Sequence, residues 1–422
     1  MIRFLEDMQT AIAIFFFIAY AYQIVYLFVG LCSRHKCENK NATLHRYAAI
    51  ISARNEENVI AGLITSLKKQ EYPSELLDIF VVADNCTDHT AAVARQAGAI
   101  VYERFNRVKV GKGYALDYLF QRIFSDYGKN TYEAFIVFDA DNYVDPRFVA
   151  EMNRMFDTGK YTALTSYRNS KNFCDNWISA GYALWFLRES RFLNAPRTRL
   201  GINCAISGTG FLVSADVIRQ ENGWQYHLLT EDIEFSVFST ICGRKIGYCA
   251  NAIIYDEQPV TFRQSWDQRM RWSKGFYQVD VKYMGSLMRG CFSGGRQAMS
   301  CYDILMTVAP CNLITIGILL TGLCICISMF AYPSFIVYRA LRMLGRIICI
   351  TFRGIFLSLL LFGAITMLTE WRNIQGKPRK KILYVFTFPL FMLTYIPISI
   401  AALVGKVEWK PIRHGISQKE RA

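Results

Sequence analysis

The chain has 422 residues, enough for two or three soluble domains, yet 52% are hydrophobic and only 19% are charged, against about 25% charged in typical soluble proteins. That balance puts part of the chain in lipid and excludes disorder; a secreted disulfide scaffold is excluded too, because the 13 cysteines are scattered and no Cys-x-x-Cys occurs. Forty-eight Lys and Arg against 34 Asp and Glu leave +14, which suits an anionic membrane face, and with no base-stacking or groove-reading module visible nucleic acid is not an expected partner.

Residues 8–33 carry no charge, and about 20 apolar residues cross the ~30 Å hydrocarbon layer as a helix. They read as a transmembrane helix rather than a cleaved signal peptide, because the apolar run continues well past the small-x-small Ala19-Tyr20-Ala21. Arg34, His35, Lys36 and Lys40 follow, so the positive-inside rule places the long section after them in the cytoplasm.

Between residues 44 and 300 short apolar β-rich runs alternate with polar helical ones, the pattern of an α/β sheet covered by helices. The spacing predicts strands over 47–53, 78–84, 99–103 and 134–138, and helices over 57–70, 89–97 and 113–125. Ligands of such sheets bind beyond the C-terminal strand ends, and these ends are acidic: Ala53-Arg54-Asn55-Glu56, Asp84-Asn85-Cys86-Thr87-Asp88 and Asp139-Ala140-Asp141-Asn142. No GxGxxG follows the first strand and Gly111-Lys112-Gly113 lacks P-loop spacing, which disfavours a dinucleotide enzyme or an ATPase. Carboxylates converging on one cleft repel unless a cation sits among them. Mg²⁺ or Mn²⁺ is the economical choice, since either takes a few carboxylate oxygens and leaves its other positions to water and phosphate. Asp139 and Asp141 are the candidate ligands, although an acidic strand end taken alone is also an ordinary turn.

Further along, Thr230-Glu231-Asp232 precedes a predicted helix over 233–241, with Thr230 a good N-cap. Gln268, Arg271 and Trp272, at i, i+3 and i+4, share one face of a predicted interfacial helix over 262–283. An indole suits the apolar face of a sugar and a guanidinium forks onto phosphate oxygens, while both also anchor at headgroups. Three more spans are expected, over 304–338, centred on 354–369, and over 382–405, the last broken by Pro389 and Pro397 and so open to a re-entrant or interfacial course. The basic loop Arg372 to Lys381 agrees with the inferred orientation; Arg339, Arg342, Arg346 and the basic tail do not, and the side of the tail stays open.

The order Asp84, Asp139-Ala140-Asp141, Thr230-Glu231-Asp232, Gln268-Arg269-Met270-Arg271-Trp272 and then apolar spans resembles the family 2 glycosyltransferases of the processive type, such as cellulose, hyaluronan and poly-N-acetylglucosamine synthases. The resemblance covers roughly residues 47–277. It implies a GT-A (Rossmann-like) domain inserted between transmembrane α-helices, a UDP-sugar donor, Mg²⁺ or Mn²⁺, and inversion at the sugar carbon. By the same resemblance Asp232 is the general base; Asp84, Lys112, Asp139 and Arg271 bind the donor; Asp139 and Asp141 hold the metal; and Ser207, Gly208, Thr209, Gly210, Glu231, Gln268 and Trp272 face the acceptor. The chemistry is consistent: a nucleoside diphosphate leaves readily once its charge is stabilised, so one base suffices, without the paired acid and base of a glycosidase.

The expected organisation is an N-terminal helix and linker over 1–43, a cytoplasmic glycosyltransferase domain over 44–260, interfacial helices over 261–300, and a transmembrane region with a basic tail over 301–422. The expected protein is a multi-pass enzyme of the cell membrane that extends a β-linked polysaccharide and translocates it, with transfer of one sugar to a lipid at the inner leaflet as the alternative. Four spans make a thin conduit, which leaves room for a homo-oligomer or an accessory protein.

Overall fold

The computed structural model describes residues 14–15, 17–32, 41–309, 317, 334–405 and 407. Most of the second expected span and nearly all of the basic tail lie outside these residues. Eight strands form one mixed sheet: β1 (Tyr47–Ala53), β2 (Leu77–Asp84), β3 (Ile100–Arg104), β4 (Ala134–Asp139), β5 (Tyr143–Val144), β6 (Ala163–Ser170), β7 (Phe211–Ser214) and β8 (Ile246–Asp256), in the spatial order β3-β2-β1-β4-β7-β6-β8-β5. The first four are parallel neighbours; β1, β2 and β4 are buried between helices and therefore written as nearly unbroken apolar runs, while β3 at the sheet edge is only partly buried. Their register pairs Ala53 with Ala83 and Ser52 with Asp139, so the acidic strand ends finish along one edge. Beyond them β7 runs antiparallel to both β4 and β6, and β8 runs parallel to β6 with a register shift at Ser166/Tyr167.

The helices of the α/β section are α1 (Tyr22–Cys32), α2 (Ile60–Lys68), α3 (Thr90–Gln96), α4 (Lys112–Tyr127), α5 (Phe148–Phe156), α6 (Trp177–Glu189), α7 (Ala195–Leu200), α8 (Ala215–Gln220), α9 (Glu231–Ile241) and α10 (Phe262–Gly290). One sheet face packs Ile50, Phe80 and Val137 against Leu119 and Phe120 of α4 and Leu184 of α6. The other packs Ile51, Val81 and Ile136 against Leu63 and Ile64 of α2 and Met152 of α5. At about 25 cal/mol per Å² of apolar surface, two such layers supply the main driving force for this domain.

The apolar helices dock on that domain. They are α11 (Ser334–Thr369), α12 (Pro378–Leu393) and α13 (Tyr395–Val404). Among the described residues two stretches are long and apolar enough to cross a membrane, Ile348–Thr369 and Pro378–Val404, and Phe17–Cys32 is a shorter apolar helix. Large side chains stand exposed along all three, among them Phe17, Phe28, Ile350, Leu361, Ile382 and Phe386, more apolar surface than a water-soluble exterior normally shows. The third expected span therefore lies inside a longer helix of 36 residues, about 54 Å at 1.5 Å per residue. In the fourth, Pro389 is held within α12, and the interruption falls at Thr394, where Pro397 has no N–H for the Leu393 carbonyl. Arg269 of α10 fills the break, its Nη1 donating to the Phe391 carbonyl at 3.0 Å and to Thr394 Oγ1 at 2.7 Å.

A second tie is ionic. Arg197 of α7 donates to Asp303, in the helical residues 295–309, through Nε at 2.6 Å and Nη2 at 2.9 Å. Tyr22 and Tyr26 of α1 donate hydroxyls to the same carboxylate at 3.0 and 2.8 Å.

Candidate active site

The site begins at the acidic edge of the sheet. Asp84, at the end of β2, is buried and ion-paired with Arg104 of β3, whose Nη2 also donates to the Lys109 carbonyl at 2.6 Å. At the end of β4 the Asp139 backbone N–H donates to Thr209 Oγ1 at 2.8 Å, and the Thr209 hydroxyl donates in turn to Asn142 Oδ1. Lys112 opens α4, and the glycine after it is required by contact: a Cβ on Gly113 would lie 2.0 Å from the Tyr226 carbonyl oxygen. Lys112 Nζ donates to Asp139 Oδ1 at 2.5 Å and to the Gly208 carbonyl at 2.6 Å, with Glu231 Oε1 at 3.9 Å. Burial would lower its ammonium, but Asp139, Glu231 and Asp232 together hold it above its ordinary range. One cation for the carboxylate cluster is thus supplied by the chain itself.

Glu231 and Asp232 form the first turn of α9, two residues earlier than the predicted start. The helix dipole and Lys112 favour their anionic forms, yet burial outweighs both and raises each carboxyl above its usual range. Thr230 stands at the N-cap position but makes no capping bond, a correction to the sequence reading. Its side chain is instead pressed against α10, where a Cβ on Gly275 would come within 2.5 Å of Thr230 Oγ1. That close approach brings the Gln268, Arg271, Trp272 face of α10 up to α9. Arg271 makes no hydrogen bond or ion pair with the described residues, and Gln268 Oε1 is buried without a partner among them. Trp272 stands edge-on to Tyr182 and Phe186, ring centroids 5.8 and 6.3 Å away.

These groups share one cleft of about 670 Å³, whose wall includes Asp84, Lys112, Asp139, Asp141, Ser207, Gly208, Glu231, Asp232, Gln268, Arg271 and Trp272. Gly208 lies beside the expected base, for a Cβ on it would sit 3.5 Å from Asp232 Oδ2. Thr209 and Gly210 do not reach the cleft. Thr209 fixes the β4 end from behind, and Gly210 packs where a Cβ would strike Ser166 Oγ at 2.6 Å and Ile254 Cδ1 at 2.7 Å.

Arg168, Asp256 and Glu189 on the wall, and Lys171 bonded to Asp141, escaped sequence reasoning. Arg168 of β6 pairs with Asp256 at the end of β8 and donates through Nη1 to the Ser207 carbonyl at 2.8 Å. Glu189, at the end of α6, accepts the Ser207 hydroxyl at 2.7 Å. Lys171 Nζ donates to the Asp141 carbonyl. Only Asp256 carried a signal, an acidic strand end like those of β2 and β4.

Carboxylates outnumber cationic side chains around the cleft, so a phosphate-bearing ligand needs added positive charge there. Among the described residues no group of three or more His, Cys, Asp or Glu could hold a metal ion. Asp139 and Asp141 as a two-carboxylate pair fit Mg²⁺ or Mn²⁺, which complete their shells with water and phosphate, and do not fit a structural zinc site. From this polar end the cleft continues to Tyr20 and Gln23 of the apolar helix Phe17–Cys32, to Met306 and Thr307 in residues 295–309, and to Met392 and Tyr395 of α12 and α13.

Parallel strands ending in carboxylates, faced by an acid-bearing helix and a cationic one, are the framework of a GT-A glycosyltransferase. The chain belongs to glycosyltransferase family 2: the family model described as "Glycosyltransferase like family 2" matches residues 45–275. A beta-monoglucosyldiacylglycerol synthase of Synechocystis sp. is 25% identical over 56% of this chain and 48% of its own length. A poly-beta-1,6-N-acetyl-D-glucosamine synthase of Staphylococcus epidermidis is 23% identical over 57% of each. The chain thus spans about half the length of these curated relatives. Among solved structures, a mannosyltransferase from Pyrobaculum calidifontis in complex with GDP-Man and Mn²⁺ shares the fold at a TM-score of 0.56 and 13% identity, over 95% of this chain and 99% of that one.

Proposed function

We propose that this enzyme is an inverting glycosyltransferase of the cell membrane that transfers a sugar from a UDP-sugar to a growing β-linked polysaccharide on the cytoplasmic side. One observation carries the reading: Asp139, Asp141, Arg271 and Asp232 line a single cleft that runs on to the apolar helices. In the proposed reaction Asp232 accepts the proton of the acceptor hydroxyl, the freed oxygen bonds to C1 of the donor sugar, and the C1–O bond to the diphosphate breaks with its electron pair on the leaving group. Attack opposite the leaving group inverts the anomeric centre. Arg271, which makes no hydrogen bond or ion pair with the described residues, forks onto the diphosphate, and Lys112 fixes Asp139 and the Gly208 loop around it. Mg²⁺ or Mn²⁺ held by Asp139 and Asp141 would supply Lewis-acid stabilisation of the departing phosphates. Trp272 and Gln268 seat the acceptor sugar, with Asp84 on the nucleoside side.

Two observations support a second reading, a single transfer to a lipid: the relative that is a beta-monoglucosyldiacylglycerol synthase, and the methionines Met306 and Met392 in the cleft wall. The purified chain is incubated with radiolabelled UDP-glucose, UDP-galactose, UDP-glucuronic acid or UDP-N-acetylglucosamine and Mn²⁺, with GDP-mannose as a control because the Pyrobaculum calidifontis mannosyltransferase is in complex with GDP-Man. A ladder of products supports polymer synthesis; a single lipid-linked band rejects it in favour of the second reading. Turnover confined to GDP-mannose would overturn the uridine assignment.

A further inference from the structure

One acidic side chain on the cleft wall has no part in the transfer described above. Glu189 ends α6 and is followed at once by the π-helical turn Ser190–Asn194; such turns recur where a helix is reshaped for a functional site. The turn is wedged against α1, where a Cβ on Gly30 would meet the Arg191 carbonyl oxygen at 2.7 Å. Deep burial raises the Glu189 carboxyl above its usual range, with the Ser207 hydroxyl, Arg197 and Arg168 pulling the other way. The side chain nevertheless stays partly accessible from the cleft.

What it holds is the segment beside the expected base. Ser207 is fixed by its hydroxyl to Glu189 Oε1 at 2.7 Å and by its carbonyl to Arg168 at 2.8 Å, while Lys112 takes the Gly208 carbonyl at 2.6 Å. Three elements thus clamp two residues, and Gly208 stands against Asp232 Oδ2. Glu189 shares the cleft wall with the Ser207–Gly208 segment it helps to clamp. A hydrocarbon chain against Glu189 would strip water from the carboxylate oxygen that Ser207 does not take, which is costly, whereas a carbohydrate brings hydroxyl donors that a carboxylate accepts.

We propose that Glu189 orients a carbohydrate acceptor, one carboxylate oxygen taking a sugar hydroxyl while the other holds Ser207 and so sets Gly208 beside Asp232. The proposal rests on the glycosyltransferase reading above and narrows its acceptor to a polyhydroxylated one.

Steady-state kinetics on the full chain test it, with whichever of the four UDP-sugars turns over and a tetrasaccharide of the same sugar as acceptor. Glu189→Ala is expected to raise the acceptor KM about tenfold or more and to move the donor KM much less. Glu189→Gln, nearly isosteric and still able to accept the Ser207 hydroxyl, should fold as the parent does and recover part of the loss. Combining Glu189→Ala with Ser207→Ala should cost less than the two single effects together. An acceptor KM within twofold of the parent in both Glu189 variants, or a loss confined to kcat with a lowered Tm, would overturn the proposal. Absence of turnover by the parent chain with every donor would overturn the underlying reading instead.

Discussion

Asp232 sits at the meeting point of opposing electrostatic influences: burial raises its carboxyl, while Lys112 and Arg271 oppose that rise. A base must be deprotonated to act, so activity should climb as pH rises through this elevated range, placing the acid limb of kcat/KM above that of an ordinary aspartate. Lys112→Gln removes a lowering influence, and its pH profile is expected to show the limb displaced further toward neutrality. Because Glu231 is raised alongside, the limb reports the pair rather than one residue. Asp232→Asn should lower the rate of UDP release by about 10²- to 10⁴-fold, the usual worth of a positioned base. Asp139 and Asp141 make a different demand. Replacing either with Ala should raise the Mn²⁺ concentration for half-maximal turnover, measured by titrating metal into chelator-treated enzyme.

At the scale of elements, the fit of α10 against α9 decides whether Arg271 and Asp232 face the same ligand. Gly275→Val would drive a side chain into Thr230, already 2.5 Å from a Cβ at that position, and a displacement of about 1 Å can cost about 10²-fold in rate. Assays of Gly275→Val should show that order of loss, with part recovered when Thr230→Ala makes room. Strands β1, β2 and β4 were legible because each is an apolar run closed by polar residues, and Asp84 and Asp139 fell at the ends of β2 and β4 for the same reason. The strands β6 and β8 were not: Arg168 and Asn169 interrupt the apolar pattern of one, and a register shift divides the pairing of the other. The Arg168–Asp256 pair joins residues 88 positions apart, a distance over which one sequence carries no pairing signal. Thr230 does stand at the N-cap of α9, but its side chain packs on α10 instead of capping, which residue type alone does not reveal.

Across the whole molecule, the cleft-bearing and apolar parts are joined by buried ties, so the cleft should depend on the apolar helices for its shape. Breaking the Arg197–Asp303 pair with Asp303→Leu leaves a buried guanidinium uncompensated, a cost of about 3–5 kcal/mol; thermal denaturation in detergent is expected to show a marked fall in Tm. The exposed apolar helices should keep the chain in the membrane fraction through an alkaline carbonate wash. The motif series pointed to residues that the fold brings to one cleft, but not to how far that cleft extends along the apolar helices, because that depends on how α1, α12 and α13 dock.

The most direct measurement is transfer of labelled sugar from the active UDP-sugar by the full chain in lipid bilayers, comparing the parent with Asp232→Asn, each with Mn²⁺ and with chelator. Labelled product from the parent, abolished by chelator and reduced at least about 10²-fold in Asp232→Asn, is the expected result. Equal product from both proteins would contradict the central claim that this cleft, with Asp232 as its base, carries out the transfer.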